Sequence, residues 1–403
     1  MLRDTLFVAF ADYLSYGAIF VLTILINRYF GTAELGHFSF AFALSALLLY
    51  SINGAFSAII KRDVSVNPEL AGRYIGSFLL LRVVVTILLG LLLYALLGLL
   101  PNTSQVLIKT VILVFVMKGF EGLSDVLFAV FQATSRMLLY AALKSTQQLV
   151  FLGVSMFALV SGASAATVYG LGVAVAGAFF TFTAIGVLWG QKTPWRVDMP
   201  LVRYAAVQSW PLLVNSAVFA LTARMGILVV NGLEGSIAGG VYAAALNIVN
   251  GVGLLPGAAG VVLFPILSRM YASQPGGLGF YMRRLTLRLG VVGVLFSLVI
   301  VLVSPQIVRL YGELPPEATN ILITLALGLV FMFAQPPSGY MFTAIHRQRE
   351  GMLYAVVMLA VCAPLYLALT LAWGIHGTAW AFVIHQALWV IGAYMIVRRF
   401  LEP

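Results

Sequence analysis

Charged residues are scarce in this sequence. Lys, Arg, Asp and Glu together make up 9% of the 403 residues, whereas 62% of the residues are hydrophobic and the mean hydropathy is +1.04. Soluble domains carry about 25% charged residues. A folded core cannot hide this much apolar surface from water. The composition therefore indicates that lipid surrounds most of the chain.

Cysteine is almost absent as well. The single Cys362 excludes an internal disulfide and a cysteine-rich metal site, and the four histidines have no metal-ligand spacing. We therefore expect no metal and no other cofactor. The pattern G-x-x-x-x-G-K-[ST] is missing too, so ATP is not expected to be the energy source of the chain itself.

Long apolar runs fill most of the sequence. Each run is about the 20 residues that a bilayer-spanning helix needs, and none shows the alternation of a membrane strand. We predict an all-α polytopic membrane protein with about 12 transmembrane helices. The spans are predicted near residues 5–27, 35–60, 74–100, 107–132, 140–161, 166–190, 203–231, 239–268, 284–303, 319–345, 351–373 and 376–397.

One polar stretch divides the apolar runs into two sets of six. Residues 191–202 include two prolines and several charged residues, a composition typical of a loop. We predict an N-terminal six-helix bundle at 1–190, a cytoplasmic linker at 191–202 and a C-terminal six-helix bundle at 203–403.

Glycines at the starts of spans repeat at a constant offset. Gly36 and Gly240 are 204 residues apart, and so are Gly170 and Gly374. Six helices per half bring the second half back to the side where the first half began. The offset therefore predicts a parallel 6+6 pseudo-repeat, related by an axis along the membrane normal.

The basic residues predict the orientation in the membrane. Of the 23 Lys and Arg residues, 17 fall on one predicted side and 3 on the other, while Arg82, Lys118 and Arg224 lie inside spans. Such an asymmetry places the rich side, which holds both termini, in the cytoplasm. It also accounts for the net charge of +10, so no nucleic-acid partner is expected.

Three charged residues lie within the fourth span. Lys118, Glu121 and Asp125 share one helix face, and each costs at least about 2.5–3.5 kcal/mol near the bilayer centre. Two interpretations are open. The face lines a cavity, with Lys118 binding an anion and a carboxylate binding a proton or cation, or Lys118 and Glu121 neutralise each other and stabilise helix packing.

Arg224 stands in the seventh span with no acidic residue within a helical turn. A guanidinium there either lines a cavity, where it would bind phosphate through two hydrogen bonds, or pairs with an acid such as Glu121, or reaches the outer surface. Asp12 and Arg82 lie at similar depths, and we predict that they pair. Arg28 ends the first span, where we expect it at the outer surface.

Four short stretches resemble conserved motifs of one transporter group. Residues 28–38 are similar to the R-x-hydrophobic-G-x-x-x-hydrophobic-G-x-aromatic junction of polysaccharide exporters. Residues 240–245 and 264–268 resemble the G-x-Y-x-x-A and P-x-L-S parts of their eighth helix, and 374–379 resembles G-x-x-G-x-A before the twelfth. These exporters are flippases of the multidrug/oligosaccharidyl-lipid/polysaccharide (MOP) superfamily.

The resemblance implies two six-helix bundles around a central cavity. It implies that the protein flips an undecaprenyl-diphosphate-linked oligosaccharide across the bacterial inner membrane for cell-surface polysaccharide synthesis. Arg224, Lys118 and Arg28 would contact the diphosphate. Many relatives carry an acid directly after the position of Arg224, but this chain has Met225, so the coupling role of that acid does not carry over.

The resemblance leaves the coupling ion open. H⁺ or Na⁺ would drive transport, and Glu121, Asp125 and Asp12 are the candidate coupling residues. The partners expected are the lipid-linked substrate and the bilayer, and we expect a monomer.

Three other functions are compatible with a polytopic helical protein. An ion-driven exporter of cationic drugs should have a net acidic cavity, whereas three basic and three acidic residues lie within the spans here. A membrane glycosyl polymerase or ligase should have a large outer loop with clustered ionisable residues, and the predicted outer loops are short, so we do not expect an enzyme. A passive channel should have a selectivity filter, and no such motif occurs.

Overall fold

Helices make up nearly all of the described chain, as the apolar runs predict. The computed structural model describes residues 2–99, 104–190, 195–273 and 275–401, and these ranges contain no β-strand. A short 3-10 helix, Pro68–Leu70, precedes the third α-helix. The α-helices are α1 (Leu2–Phe30), α2 (Thr32–Val66), α3 (Ala71–Leu99), α4 (Gln105–Ala133), α5 (Met137–Val160), α6 (Ala165–Gly190), α7 (Met199–Ser273), α8 (Pro275–Leu310), α9 (Glu317–Ala334), α10 (Pro336–Ala344) and α11 (Gln348–Leu401).

The eleven described α-helices correspond to the twelve predicted spans. α7 and α11 each contain a break in helical geometry, at Gly235 and at Trp373–Gly374, so each supplies two spans. α9 and α10 follow one another and form a single apolar stretch, Glu317–Ala344. The predicted fold class, an all-α polytopic membrane protein, is confirmed.

Nine segments of the described chain are long and apolar enough to cross a membrane. α4 is not among them, because it carries four charged residues, Lys109, Lys118, Glu121 and Asp125, in 29 residues. The flanking helices α3 and α5 both qualify. α4, which occupies the position of the fourth predicted span, is therefore more polar than the two helices beside it in sequence.

The chain forms two compact units. The first contains Met1–Phe30 and His37–Arg224, and the second contains Gly31–Gly36 and Met225–Pro403. The boundary between the two lies inside α7, so residues 199–224 of α7 belong with the preceding helices. The predicted bundle boundaries at a 191–202 linker stay a prediction, and residues 191–194 lie outside the described residues.

The core of the first unit lies between α2, α3 and α4. Phe56 of α2 contacts Phe78 of α3 edge to face, with ring centroids 5.2 Å apart, and both side chains are buried. Tyr74 stacks on Phe78 at 5.7 Å. Lipid is as apolar as these side chains, so close packing rather than exclusion of water stabilises such contacts.

The second unit packs α8 closely against α9. A Cβ atom at Gly293 would lie 2.8 Å from the backbone oxygen of Leu329, so only glycine allows this approach. Next to it, Phe296 stacks on Phe333 with centroids 5.1 Å apart. Small residues that let two backbones approach closely are typical of helix contacts in membranes.

The predicted repeat extends to backbone conformation. Gly31, between α1 and α2, has φ of 84°, and Gly235, at the break in α7, also has φ of 84°. These two positions are 204 residues apart, the offset found in the sequence. Side chains with a Cβ are disfavoured at such φ values, so both halves use glycine for the same turn between consecutive helices.

Repeat-related residues also contact each other reciprocally in the second unit. A Cβ atom at Gly36 would overlap the backbone of Ser236, and a Cβ atom at Gly240 would overlap the backbone of Thr32. Thr32 and Ser236 are again 204 residues apart. Reciprocal contacts of this kind arise when two copies of one element meet about a two-fold axis, which supports the parallel pseudo-repeat.

We expect Gly36→Ala and Gly240→Ala to destabilise the protein by about 1–3 kcal/mol, because the new methyl group would meet backbone atoms that have little freedom to move. Gly17→Ala in α1 is the matched control, since no atom lies within 4 Å of its Cβ position. Thermal unfolding in detergent measures the effect. Equal melting temperatures for all three variants would contradict the close contact.

An ion pair and a hydrogen bond connect Asp198, near the end of the predicted linker, to the start of α3. The Asp198 carboxylate pairs with Arg73, and the backbone N–H of Asp198 donates to Ser77 Oγ at 3.0 Å. Asp198 Oδ1 also accepts from the N–H of Leu201 at 3.4 Å, which caps the N-terminus of α7. Asp198 therefore connects α3 to α7 within the first unit.

The hydrogen bond from Arg73 lowers the pKa of Asp198, which precedes the apolar part of α7. A lowered folded-state pKa stabilises the protein above the ordinary carboxyl pKa of about 3.9, and this stabilisation is lost as the pH falls through the lower value. We expect Asp198→Asn to lower the melting temperature at pH 7, and the difference from wild type to shrink below about pH 4. Glu69→Gln, at an exposed residue, should differ little from wild type at any pH. If the melting temperature of Asp198→Asn differs from that of wild type by the same amount at every pH, the Asp198–Arg73 ion pair does not contribute to stability.

Candidate anion-binding site

Lys118 and Glu121 form an ion pair within α4. Lys118 Nζ lies 2.7 Å from Glu121 Oε2, and the lysine side chain is 4% exposed. One of the two predicted arrangements for this face is therefore present. The pair cancels its own charge, which lowers the cost of burying Lys118 in a membrane-spanning helix.

Asp125, one turn further along α4, faces α2 and α3. Its Oδ2 accepts a hydrogen bond from Asn53 Nδ2 of α2 at 2.8 Å. Arg82 of α3 is fully buried and interacts electrostatically with Asp125. The Arg82 guanidinium lies against Gly122 of α4, where a Cβ atom would overlap it. Glycine at position 122 of α4 therefore leaves room for the Arg82 side chain.

The predicted pairing of Asp12 with Arg82 is wrong. Asp12 of α1 accepts from Lys144 Nζ of α5 at 2.5 Å, and Lys144 also donates to Tyr140 at 3.1 Å. Arg82 Nη1 instead donates to the backbone oxygen of Leu49 at 3.2 Å. Depth along two helices does not determine whether they are neighbours, and α1 packs on α5.

Arg224 lies beside Phe42 of α2. Its guanidinium carbon is 5.5 Å from the centroid of the Phe42 ring, and Lys118 Nζ is 4.5 Å from the same centroid. In the described part of the chain Arg224 forms no ion pair, and its electrostatic neighbours are the phenols of Tyr50 and Tyr16. The predicted alternative of a pair with Glu121 is not observed, because Glu121 pairs with Lys118.

These residues form one cluster in the first unit, the Phe42 cluster: Phe42, Lys118, Glu121 and Arg224. It contains two cations and one carboxylate and so carries a net charge of +1 when all three ionise. Guanidinium and ammonium groups without enough acidic partners attract anions, and in a low dielectric this attraction is strong. The arrangement is suited to binding an anion.

Arg28 occupies the last turn of α1 and is exposed. The Phe42 cluster contains two of the three predicted diphosphate-binding residues, Lys118 and Arg224. The three predicted coupling residues are separated: Glu121 is in the cluster, Asp125 contacts Asn53, and Asp12 contacts Lys144.

Phe42, Asn53 and Lys144 were not predicted as site residues. Phe42 and Asn53 are 11 residues apart, which places them on one face of α2. A polar Asn in an otherwise apolar span is a signal that sequence reasoning could have used. Phe42 offered no signal, because one aromatic residue among many in apolar helices is ordinary.

An apolar groove lies on the other face of α4. It has a volume of about 530 Å³ and lies between α3 and α4, next to Thr86, Gly90, Phe115 and Gly119. Residues 116, 119, 120 and 123 of α4 point away from the face that bears Lys118 and Asp125. The groove is therefore separate from the charged residues.

The fold and the site define a class: a multi-pass helical membrane protein with ionisable groups inside its predicted spans. Residues 211–368 match the MatE family model. No curated protein matches the chain.

Several solved structures share this fold. The lipid II flippase MurJ, in an inward closed conformation, has a TM-score of 0.75 at 15% identity, over 99% of this chain and 88% of that chain. An inward-facing multidrug resistance MATE transporter of the MOP superfamily has a TM-score of 0.67 at 13% identity, over 99% and 94%. A MOP superfamily transporter from Pyrococcus furiosus, described as having a binding pocket of reverse polarity, has a TM-score of 0.64 at 11% identity, over 99% and 96%.

The chain therefore has the fold of MOP superfamily transporters. The resemblance to the MOP superfamily that its motifs indicate is confirmed for the fold.

We expect Glu121→Gln to destabilise the protein by about 3–5 kcal/mol, because it leaves Lys118 buried without its counter-charge. The matched control is Glu350→Gln. Arg347 and Glu350 pair at the same sequence spacing and a similar distance, 2.8 Å, but are 50% and 30% exposed. Loss of an exposed pair should cost about 0–1 kcal/mol. Similar unfolding midpoints for the two variants would show that burial of Lys118 does not require the charge of Glu121.

Proposed function

We propose that the protein is a flippase that moves an undecaprenyl-diphosphate-linked oligosaccharide across the bacterial inner membrane for cell-surface polysaccharide synthesis. The observation that carries the proposal is the Phe42 cluster, in which Arg224 and Lys118 share one aromatic ring inside membrane-spanning helices. The MOP fold, shared with a lipid II flippase, supports the same function.

A lipid diphosphate makes three demands on its carrier. The diphosphate needs cations inside the membrane, the sugar needs a polar cavity, and the lipid tail needs a lateral opening. Arg224 and Lys118 meet the first demand, since guanidinium and ammonium groups both bind phosphate oxygens. Two repeated halves that alternate between inward-open and outward-open states would meet the other two.

Glu121 gives this mechanism a way to couple to protons. In the paired state the carboxylate neutralises Lys118. A proton on Glu121 removes that negative charge and leaves Lys118 available to the diphosphate. Proton uptake and substrate binding would then favour each other. Asp125 and Asp12, which already accept hydrogen bonds from Asn53 and Lys144, remain candidates for H⁺ or Na⁺ coupling.

The proposed transport cycle also gives a role to Arg28, an orientation in the membrane and an oligomeric state. Arg28, exposed at the end of α1, would contact the diphosphate as it enters or leaves. Both termini would lie in the cytoplasm, because the side rich in Lys and Arg stays there. A monomer suffices for this cycle, and transport breaks no covalent bond, so no enzymatic step is required.

Export of cationic drugs is the second candidate function. The MatE match over residues 211–368 and the fold shared with a multidrug transporter favour it. The net positive charge of the Phe42 cluster opposes it, because a cationic drug would be repelled. The reverse pocket polarity described for the Pyrococcus furiosus transporter suggests that one fold accommodates ligands of either charge.

We expect Arg224→Ala to abolish flipping and Arg224→Lys to retain part of it, because lysine keeps the charge but loses the two-pronged donor. The assay uses proteoliposomes that contain an undecaprenyl-diphosphate oligosaccharide labelled on its sugar. A membrane-impermeant glycosidase outside measures how much label from the inner leaflet becomes accessible.

Arg288→Ala, at an exposed residue of α8, is the matched control and should flip normally. Unchanged flipping by Arg224→Ala would exclude the role proposed for that residue. If wild-type protein gives no access to the label under imposed ion gradients but transports a cationic dye, drug export replaces flipping as the function.

A further inference from the structure

We propose that Phe42 is the positioning residue of the anion site, and that its ring holds Arg224 in place without cancelling the positive charge that selects a diphosphate. This inference rests on the proposed function and identifies how the same site recognises its ligand. The ring takes the place of a carboxylate beside Arg224.

The Phe42 ring is held in place by an aromatic series in the first unit. Tyr169 of α6, which is 1% exposed, stacks on Phe38 with centroids 5.4 Å apart and planes 21° apart. Phe38 in turn lies 6.0 Å from Phe42, one turn further along α2. The ring therefore depends on contacts that reach from α6 through α2, and it is not an isolated side chain in lipid.

Both cations of the cluster lie close to this ring. The distances of 4.5 Å from Lys118 Nζ and 5.5 Å from Arg224 Cζ fall within the range of cation–π attraction. The two cationic centres are consequently no more than about 10 Å apart, the sum of these distances. The two phosphates of a diphosphate, with the oxygens around them, have a suitable size to contact both.

An aromatic ring and a carboxylate have different effects on a cation. Glu121 holds Lys118 but cancels its charge, so an incoming phosphate must compete with that carboxylate. The ring attracts Arg224 through its quadrupole and carries no net charge. Arg224 is thus held in position while its full charge remains available to a ligand.

This arrangement determines the class of ligand. A carboxylate at position 42 would make the cluster neutral, with two cations and two anions, and a cationic ligand would no longer be repelled. With phenylalanine the cluster keeps its charge of +1. The site therefore favours a lipid that bears two phosphates over one that bears none, and over organic cations of similar size.

The test measures binding of farnesyl diphosphate to purified full-length protein in detergent, with farnesol as the uncharged reference. Phe42→Leu should weaken binding of the diphosphate about tenfold, because Arg224 would lose the contact that holds it in position before the ligand binds. Phe42→Tyr and Phe42→Trp, which keep an electron-rich ring, should bind within about threefold of wild type.

Phe56→Leu is the matched control, because Phe56 is on the same helix and packs edge to face on Phe78, outside the Phe42 cluster. It should leave the affinity unchanged. Mono-, di- and trifluorophenylalanine at position 42 keep the volume of the ring while progressively weakening its quadrupole. A stepwise loss of affinity along this series would support the proposal even if Phe42→Leu failed to fold.

Two results would overturn the inference in distinguishable ways. If wild type prefers the diphosphate to farnesol, and Phe42→Leu and the fluorinated proteins share that preference undiminished, only the role of Phe42 is lost. If wild type binds farnesol as tightly as farnesyl diphosphate, there is no anion site, and the proposed function is lost with it.

Discussion

The structure of the first unit depends on the cost of placing charge in a bilayer. α4 carries Lys118, Glu121 and Asp125 into a region where each would be unstable alone. Every one of them has a partner: Lys118 has Glu121, and Asp125 has Asn53. Arg82 extends from α3 across the face of α4 at Gly122. α2, α3 and α4 are therefore associated by polar contacts as well as by the packing of Phe56 and Phe78.

Arg224 departs from this pattern in an informative way. The described residues provide it with an aromatic ring and two nearby phenols instead of a carboxylate. Such an environment tolerates the charge without cancelling it, which a purely structural arginine would not require. A binding site for an anion does require it, since affinity comes from charge that is not yet neutralised. The contrast between Lys118 and Arg224, on the same ring, is thus the physical basis for assigning a ligand to this cluster.

Glycine performs two distinct tasks at the junctions between helices. Gly31 and Gly235 adopt the same left-handed backbone conformation, and Gly36 and Gly240 allow backbones to touch. The offset of 204 residues relates both pairs. A duplication that preserves backbone conformation and reciprocal contact is well suited to a transporter, because two similar halves have similar energies on either side of the membrane. The left-handed conformation disfavours a side chain at Gly31 and Gly235, and the close backbone contact leaves no room for one at Gly36 and Gly240.

The sequence by itself determined the helical class and the approximate spans, including the separations between residues 231 and 239 and between 373 and 376, since apolar length and glycine placement are local properties. It also placed Lys118 and Glu121 together, because they share one helix face. Only the tertiary structure decided which helices are neighbours. Asp12 meets Lys144 rather than Arg82, and Phe42 lies between two cations from other helices. The depth of a residue in the membrane can be predicted from the sequence of its own helix. The rotation of each helix and the identity of its neighbours depend on packing among all the helices.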